Sequence, residues 1–144
     1  MGTLTSLSSR SLQYYVISRK WLSDLEFYKF ETVFLHSLLD EQFFYLPNNS
    51  ERAKVADLNN ELTKFEADKD HLERSLCEQI RQLELMSEDV IPEDTGSLAG
   101  KQIGLEHMVT DMMSEYKHLK LKIFTMVQRS KSDHNASLSH RFPN

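Results

Sequence analysis

The clearest hydrophobic pattern lies in the middle of the chain, where apolar residues recur at alternating steps of three and four. This spacing puts the residues on one face of an α-helix and is typical of a coiled-coil seam. Lys69 and Gln79 are the two polar members of the series. The pattern predicts a long helix over residues 51–90. Its seam consists of Val55, Leu58, Leu62, Phe65, Lys69, Leu72, Leu76, Gln79, Leu83, Met86 and Val90.

A second seam near the C-terminus predicts another helix, over residues 98–129. The turn signals of "IPEDTGS" at 91–97 separate the two helices, and Ser97 is the predicted N-cap of the later one. Because this connection is short, the two helices should pack antiparallel. The second seam is apolar throughout and consists of Leu105, Val109, Met112, Tyr116, Leu119, Ile123 and Met126.

The first predicted helix, over residues 12–46, is apolar on two sides. It precedes "LPNNSE", in which Asn48 and Glu51 have the spacing of a capping box, and it holds ten of the fourteen aromatic residues. At about 100° per residue these side chains form two stripes. The first stripe consists of Trp21, Leu25, Tyr28, Leu39 and Phe43, and the second of Phe27, Phe30, Phe34, Leu38 and Tyr45.

A helix that is apolar all round must be buried all round. The seams of two other helices can cover one broad face, so the second stripe is predicted to contact another copy of the protein or a protein partner. The alternative is that the other two helices straddle the first and bury both stripes within one chain. The predicted fold is an all-α antiparallel bundle of three long helices with coiled-coil-like seams, completed by self-association. The bundle domain is predicted to span 12–129, between disordered tails at 1–11 and 130–144.

Composition and charge exclude several classes of function. The formal net charge of −5 argues against nucleic-acid binding, which needs a basic face. Cys77 is the only cysteine, so the chain can form neither an internal disulfide nor a cysteine-rich zinc site. The chain lacks a signal-like apolar segment and a membrane-spanning run, which predicts a cytoplasmic protein with no membrane partner. "MGTLTS" matches an acylation pattern at Gly2, but the pattern is short enough that chance explains it.

Two histidine-containing patterns raise the alternative of a metal-binding bundle. Glu115 and His118 have the Glu-x-x-His spacing of di-iron bundles, and Asp68 and His71 imitate it on the middle helix. Folding about the 91–97 loop puts His71, His118 and Glu26 at a similar height. However, His118 lies about 135° from its seam on the helical wheel, which predicts a surface position for it.

His36 is the other candidate, because it lies near the first apolar stripe of the first helix. It either lines a ligand pocket, or has a structural role as a buried histidine bonded to a hydroxyl or a backbone carbonyl, or as one at the mouth of the bundle. The favoured interpretation is the structural role. The chain shows no plausible pairing of nucleophile and base, so the sequence predicts a protein that is not an enzyme and needs no cofactor. The leading hypothesis is a helical-bundle interaction protein, and the alternative is a bundle that binds a metal or small molecule.

Overall fold

The computed structural model describes residues 7–46 and 48–141, with side chains up to Lys131. In these ranges the chain forms three α-helices and no strands: α1 (Ser9–Tyr45), α2 (Asn49–Ser87) and α3 (Thr95–Arg141). The helices pack against each other in a bundle, which confirms the predicted all-α bundle of three long helices. None of them is long and apolar enough to cross a membrane within the described residues. Gly2 lies outside those residues.

Side-chain caps set the starts of α2 and α3. Asn48 Oδ1 accepts the backbone N–H of Glu51 at 2.8 Å, which confirms Asn48 as the N-cap of α2. In α3 the cap is Asp94, whose Oδ1 accepts the N–H of Ser97 at 3.1 Å. The prediction of Ser97 as the cap is therefore wrong. Ser97 supplies the N–H that a cap three residues earlier satisfies.

The helices extend into both predicted tails. α1 begins at Ser9, where Ser8 Oγ accepts the N–H of Ser11 at 3.2 Å. α3 continues to Arg141, past its predicted end at 129. No glycine or proline occurs between residues 105 and 142 to stop it. Residues 1–6 and 142–144 of the predicted tails lie outside the described residues.

The chain divides into two compact units, and each helix contributes to both. Unit 1 contains Met1–Tyr28 and Ala67–Met113. One of its apolar clusters consists of Leu7, Leu83, Met86 and Leu98, with Tyr14, Tyr15 and Ile91 packed against it.

Unit 2 contains Lys29–Glu66 and Ser114–Asn144. In this unit the rings of Phe65 on α2 and Tyr116 on α3 lie 5.4 Å apart between centroids. Leu35 and Leu39 of α1 and Ile123 of α3 are fully buried in the same unit.

The two predicted seams are the buried faces of α2 and α3. All seam positions from Val55 to Met86 are buried, including Lys69 and Gln79, and so are the α3 positions from Leu105 to Ile123. Met126 is half-buried and the adjacent Val127 is buried. Val90 is exposed because α2 ends at Ser87, three residues before the predicted end.

Candidate functional site: the aromatic face of α1

One face of α1 supplies the core. Its buried positions follow steps of three and four, as the first predicted stripe does, but several of them are polar. They are Ser11, Ser18, Leu25, Thr32, Leu35, Leu39 and Gln42, with Leu46 just beyond the helix. Phe43 departs from its predicted position, since it is exposed and its ring lies 5.6 Å from the guanidinium of Arg52. The buried line passes through Gln42 instead.

The second predicted stripe lies on the opposite side of α1, and we call it the aromatic face: Phe27, Phe30, Phe34, Leu38 and Tyr45. Phe27, which belongs to unit 1, is 59% exposed. In unit 2, Phe30 is 69%, Phe34 53% and Tyr45 58% exposed, whereas Leu38 is half-buried. The hypothesis that α2 and α3 straddle α1 and bury both stripes is therefore wrong. The seams of α2 and α3 are already used on the core side.

Sequence reasoning missed several members of the exposed apolar surface of α1, and three of them are more than half exposed. In unit 2, Phe44 is 80% and Val33 61% exposed, and in unit 1 Val16 is 60% exposed. The helical periodicity of the sequence does indicate these positions. At 100° per residue, Val16 lies in line with Phe34, and Val33 and Phe44 lie at the border of the aromatic face. The open apolar surface is thus larger than the predicted stripe.

The candidate metal ligands are on the surface. His118, His71 and Glu26 are each exposed. His118 Nδ1 lies 2.8 Å from the carbonyl oxygen of Ser114, to which it donates a hydrogen bond within its own helix. Within the described residues, no group of three or more His, Cys, Asp or Glu side chains is placed to hold a metal ion. The metal-binding alternative gains no support from this geometry.

His36 is half-buried and binds side chains of α2 rather than the predicted hydroxyl or backbone carbonyl. Its Nε2 is hydrogen-bonded to Glu66 Oε1, and its Nδ1 lies 2.7 Å from Asn59 Oδ1. The sequence pattern does not predict this contact, because a pairing between two helices depends on their relative rotation, which the hydrophobic pattern defines only coarsely. Both ring nitrogens are satisfied by protein groups, so the geometry favours a structural role over a ligand pocket.

An open groove of about 530 Å³ lies between α2 and α3 in unit 2. Leu58, Leu121 and Met126 form apolar parts of its lining, and Glu61 and Lys122 are charged lining residues of opposite sign. These two charged groups approach each other to 3.5 Å. Because the lining contains both a negative and a positive side chain, it favours neither an anionic nor a cationic ligand.

No family model, curated protein or solved structure matches the chain.

Proposed function

We propose that this protein is a non-enzymatic helical-bundle interaction protein that associates with a second copy of itself through the aromatic face of α1. The observation that carries this proposal is the exposure of Phe27, Phe30, Phe34 and Tyr45 on a helix whose other face is in the core. Burying a large apolar side chain contributes about 1.5–3 kcal/mol. Contiguous open surfaces of this kind are uncommon on soluble monomers and mark interaction sites.

A second copy is the occupant that the composition of the face favours. Interface cores are enriched in aromatic residues and depleted in charged ones. Phe27, Phe30 and Phe34 occupy successive turns of one helix with no charged residue at their centre. Two-fold pairing through the same patch on both partners is the commonest arrangement among oligomers. The aromatic face of one copy then covers the same face of the other copy.

The experiment measures molar mass by light scattering coupled to size exclusion, at tens of micromolar protein. We expect a dimer for the unchanged chain and a helical monomer for Phe30→Glu/Phe34→Glu, because carboxylates cannot be buried against the partner's rings without a large penalty. Circular dichroism checks that the variant remains helical. Both substituted positions are more than half exposed, so the bundle itself should tolerate them.

Ile103→Glu is the matched control, because Ile103 is a 58% exposed apolar residue of α3, outside α1. It should leave the dimer intact. A monomer for the unchanged chain would refute self-association. A dimer that survives the double substitution would refute the assignment of the aromatic face. Loss of the dimer in the Ile103→Glu control as well would show that the effect is not specific to this face.

A further inference from the structure

The surface of α1 that contains the aromatic face carries charges near its two ends. In unit 1 the same side of the helix presents Val16, Lys20 and Ser23, all of them exposed. In unit 2 it presents Glu41, which is also exposed. At 100° per residue, these residues fall within about 80° of one another on the helical wheel, together with the aromatic face. The charge is basic toward the N-terminal end and acidic toward the C-terminal end.

We propose that two copies pair through their α1 helices in an antiparallel arrangement, with the two-fold axis close to Phe30 and with Lys20 of each copy opposite Glu41 of the other. This inference rests on the proposed function and adds its orientation and register. In an antiparallel pair related by a two-fold axis, residues equally far from the midpoint, on either side of it, lie opposite each other. For a midpoint between Phe30 and Glu31, those pairs are Phe27 with Phe34, Ser23 with Leu38, Lys20 with Glu41, and Val16 with Tyr45.

The register brings apolar residues together at Phe27 with Phe34 and at Val16 with Tyr45, and opposite charges together at Lys20 with Glu41. Phe27 meets Phe34 twice, once on each side of the axis, and Val16 meets Tyr45 in the same way. A parallel pair would instead put Lys20 against Lys20 and Glu41 against Glu41, and facing like charges disfavour an arrangement. Within the described part of the chain, neither Lys20 nor Glu41 has an ion-pair partner of its own. The pairing gives each of them one.

The area available is sufficient for a specific contact. Four aromatic side chains per copy, Phe27, Phe30, Phe34 and Tyr45, are each more than half exposed. With about 150–250 Å² per fully buried aromatic side chain, the eight rings of two copies contribute roughly 1,000 Å². That is about the minimum for a specific interface, and Val16 and Leu38 add to it.

Disulfide cross-linking tests the orientation. All variants carry Cys77→Ser, because Cys77 is an exposed free thiol. Under a mild oxidant, Lys20→Cys and Glu41→Cys should each fail to cross-link alone and should give a covalent dimer when mixed. In the proposed register, the two copies of position 20 lie roughly 30 Å apart along the helix axis. Phe30→Cys, near the two-fold axis, should cross-link to itself. Self-cross-linking of Lys20→Cys and of Glu41→Cys would overturn the antiparallel arrangement in favour of a parallel one.

Charge reversal tests the register independently. Lys20→Glu and Glu41→Lys should each raise the Kd of the dimer roughly tenfold by replacing two attractive pairs with repulsive ones. The double variant Lys20→Glu/Glu41→Lys should return the Kd to within about threefold of the original value. A double variant no tighter than the singles would refute the pairing. A monomeric parent would refute the proposed function itself, whereas a dimer with the wrong cross-links refutes only the orientation.

Discussion

In unit 2, the imidazole of His36 on α1 is hydrogen-bonded through Nε2 to the carboxylate of Glu66 on α2. The other ring nitrogen lies 2.7 Å from Asn59 Oδ1, and the Asn59 amide nitrogen donates to Asp40 Oδ1 at 3.3 Å. These contacts form a chain of four polar side chains between two helices. Such a chain specifies the relative rotation of α1 and α2, which apolar contacts alone leave loosely defined.

Replacing Glu66 with Ala should lower the free energy of unfolding by about 1 kcal/mol, because a charge-assisted hydrogen bond at a partly exposed site is lost. Urea unfolding followed by circular dichroism measures the change. Asp68→Ala is the control, since Asp68 is an exposed carboxylate two residues away on the same helix. In a double-mutant cycle with His36→Ala, the coupling energy should be about 0.5–1 kcal/mol. Additive effects of the two substitutions would contradict the pairing.

A buried polar layer crosses unit 1. Gln102 Oε1 on α3 accepts from Ser18 Oγ on α1 and from Gln79 Nε2 on α2, each at 3.4 Å. Gln79 Nε2 also donates to the carbonyl oxygen of Leu98 at 3.4 Å. Among the described residues, Gln79 Oε1 and Gln102 Nε2 are buried without a hydrogen-bond partner. The layer links all three helices, but its hydrogen bonds are long and incomplete.

Ser18→Ala/Gln79→Met/Gln102→Met should raise the free energy of unfolding by about 1 kcal/mol, because both unpartnered polar atoms are removed at nearly constant volume and no buried hydroxyl is left without its acceptor. Gln102→Met alone should lower it by about 1 kcal/mol, since Ser18 and Gln79 lose their shared acceptor. Thermal or urea unfolding of the unchanged protein and of the two variants measures these differences. A triple variant less stable than the unchanged protein would show that the layer contributes net stability, contrary to this prediction.

The N-terminus of α1 depends on a carboxylate from the α2–α3 connection. Glu93 Oε1 accepts the backbone N–H of Ser8 at 2.9 Å. This bond, and after it a hydrogen bond from the Ser11 hydroxyl, holds the pKa of Glu93 below its usual value. A lowered folded-state pKa contributes stability that is present above the unfolded pKa and is lost as the pH falls through the folded pKa.

Acidification below the normal glutamate range should therefore release residues 7–11 before the rest of unit 1 unfolds. Amide hydrogen exchange at Ser8 should accelerate relative to that at core positions as the pH falls, after correction for the intrinsic exchange rate. Glu93→Gln should remove this extra pH dependence, because the substituted side chain does not titrate. The nearby exposed Glu88→Gln is the control and should leave it in place. An unchanged pH profile in Glu93→Gln would show that the contact does not anchor the N-terminus.

The sequence predicted the architecture well because hydrophobic periodicity reports directly which face of a helix is buried. The seam of α2 is buried even at Lys69, where the side chain keeps Nζ 3.0 Å from Asp70. The same reasoning predicted the open aromatic face, since α2 and α3 have too little apolar surface to cover both sides of α1. Hydrophobic periodicity does not predict the polar contacts between helices. The partners of His36 and Gln102 depend on rotations of a few tens of degrees.

Helix ends were predicted less accurately for a different reason, and the end of α2 shows it. Asp89 has φ of 57°, in the left-handed region, at a position that glycine usually occupies. The N–H of Val90 donates to the carbonyl oxygen of Leu85 at 3.0 Å, and that of Asp89 donates to Met86 O at 3.2 Å. These two bonds make a Schellman motif. Val90 is apolar and continues the hydrophobic periodicity of α2, so the sequence pattern placed the helix end at residue 90 and not at Ser87.

Asp89→Gly should stabilise the protein, because glycine adopts this conformation without the steric penalty of a β-carbon. We expect a gain of about 0.5–1 kcal/mol in the free energy of unfolding, after the greater chain entropy of glycine in the unfolded state is subtracted. Asp89→Val should lose at least about 1 kcal/mol, since β-branched residues are strained at positive φ. Chemical unfolding of the three proteins measures both effects.

Glu88→Gly controls for glycine in general and should destabilise, because Glu88 precedes the left-handed position and its N–H bonds to Glu84 as part of the helical ladder. If Asp89→Gly and Glu88→Gly were equally destabilising, the left-handed conformation of Asp89 would carry no steric strain, and the α2 end would be held by its hydrogen bonds alone.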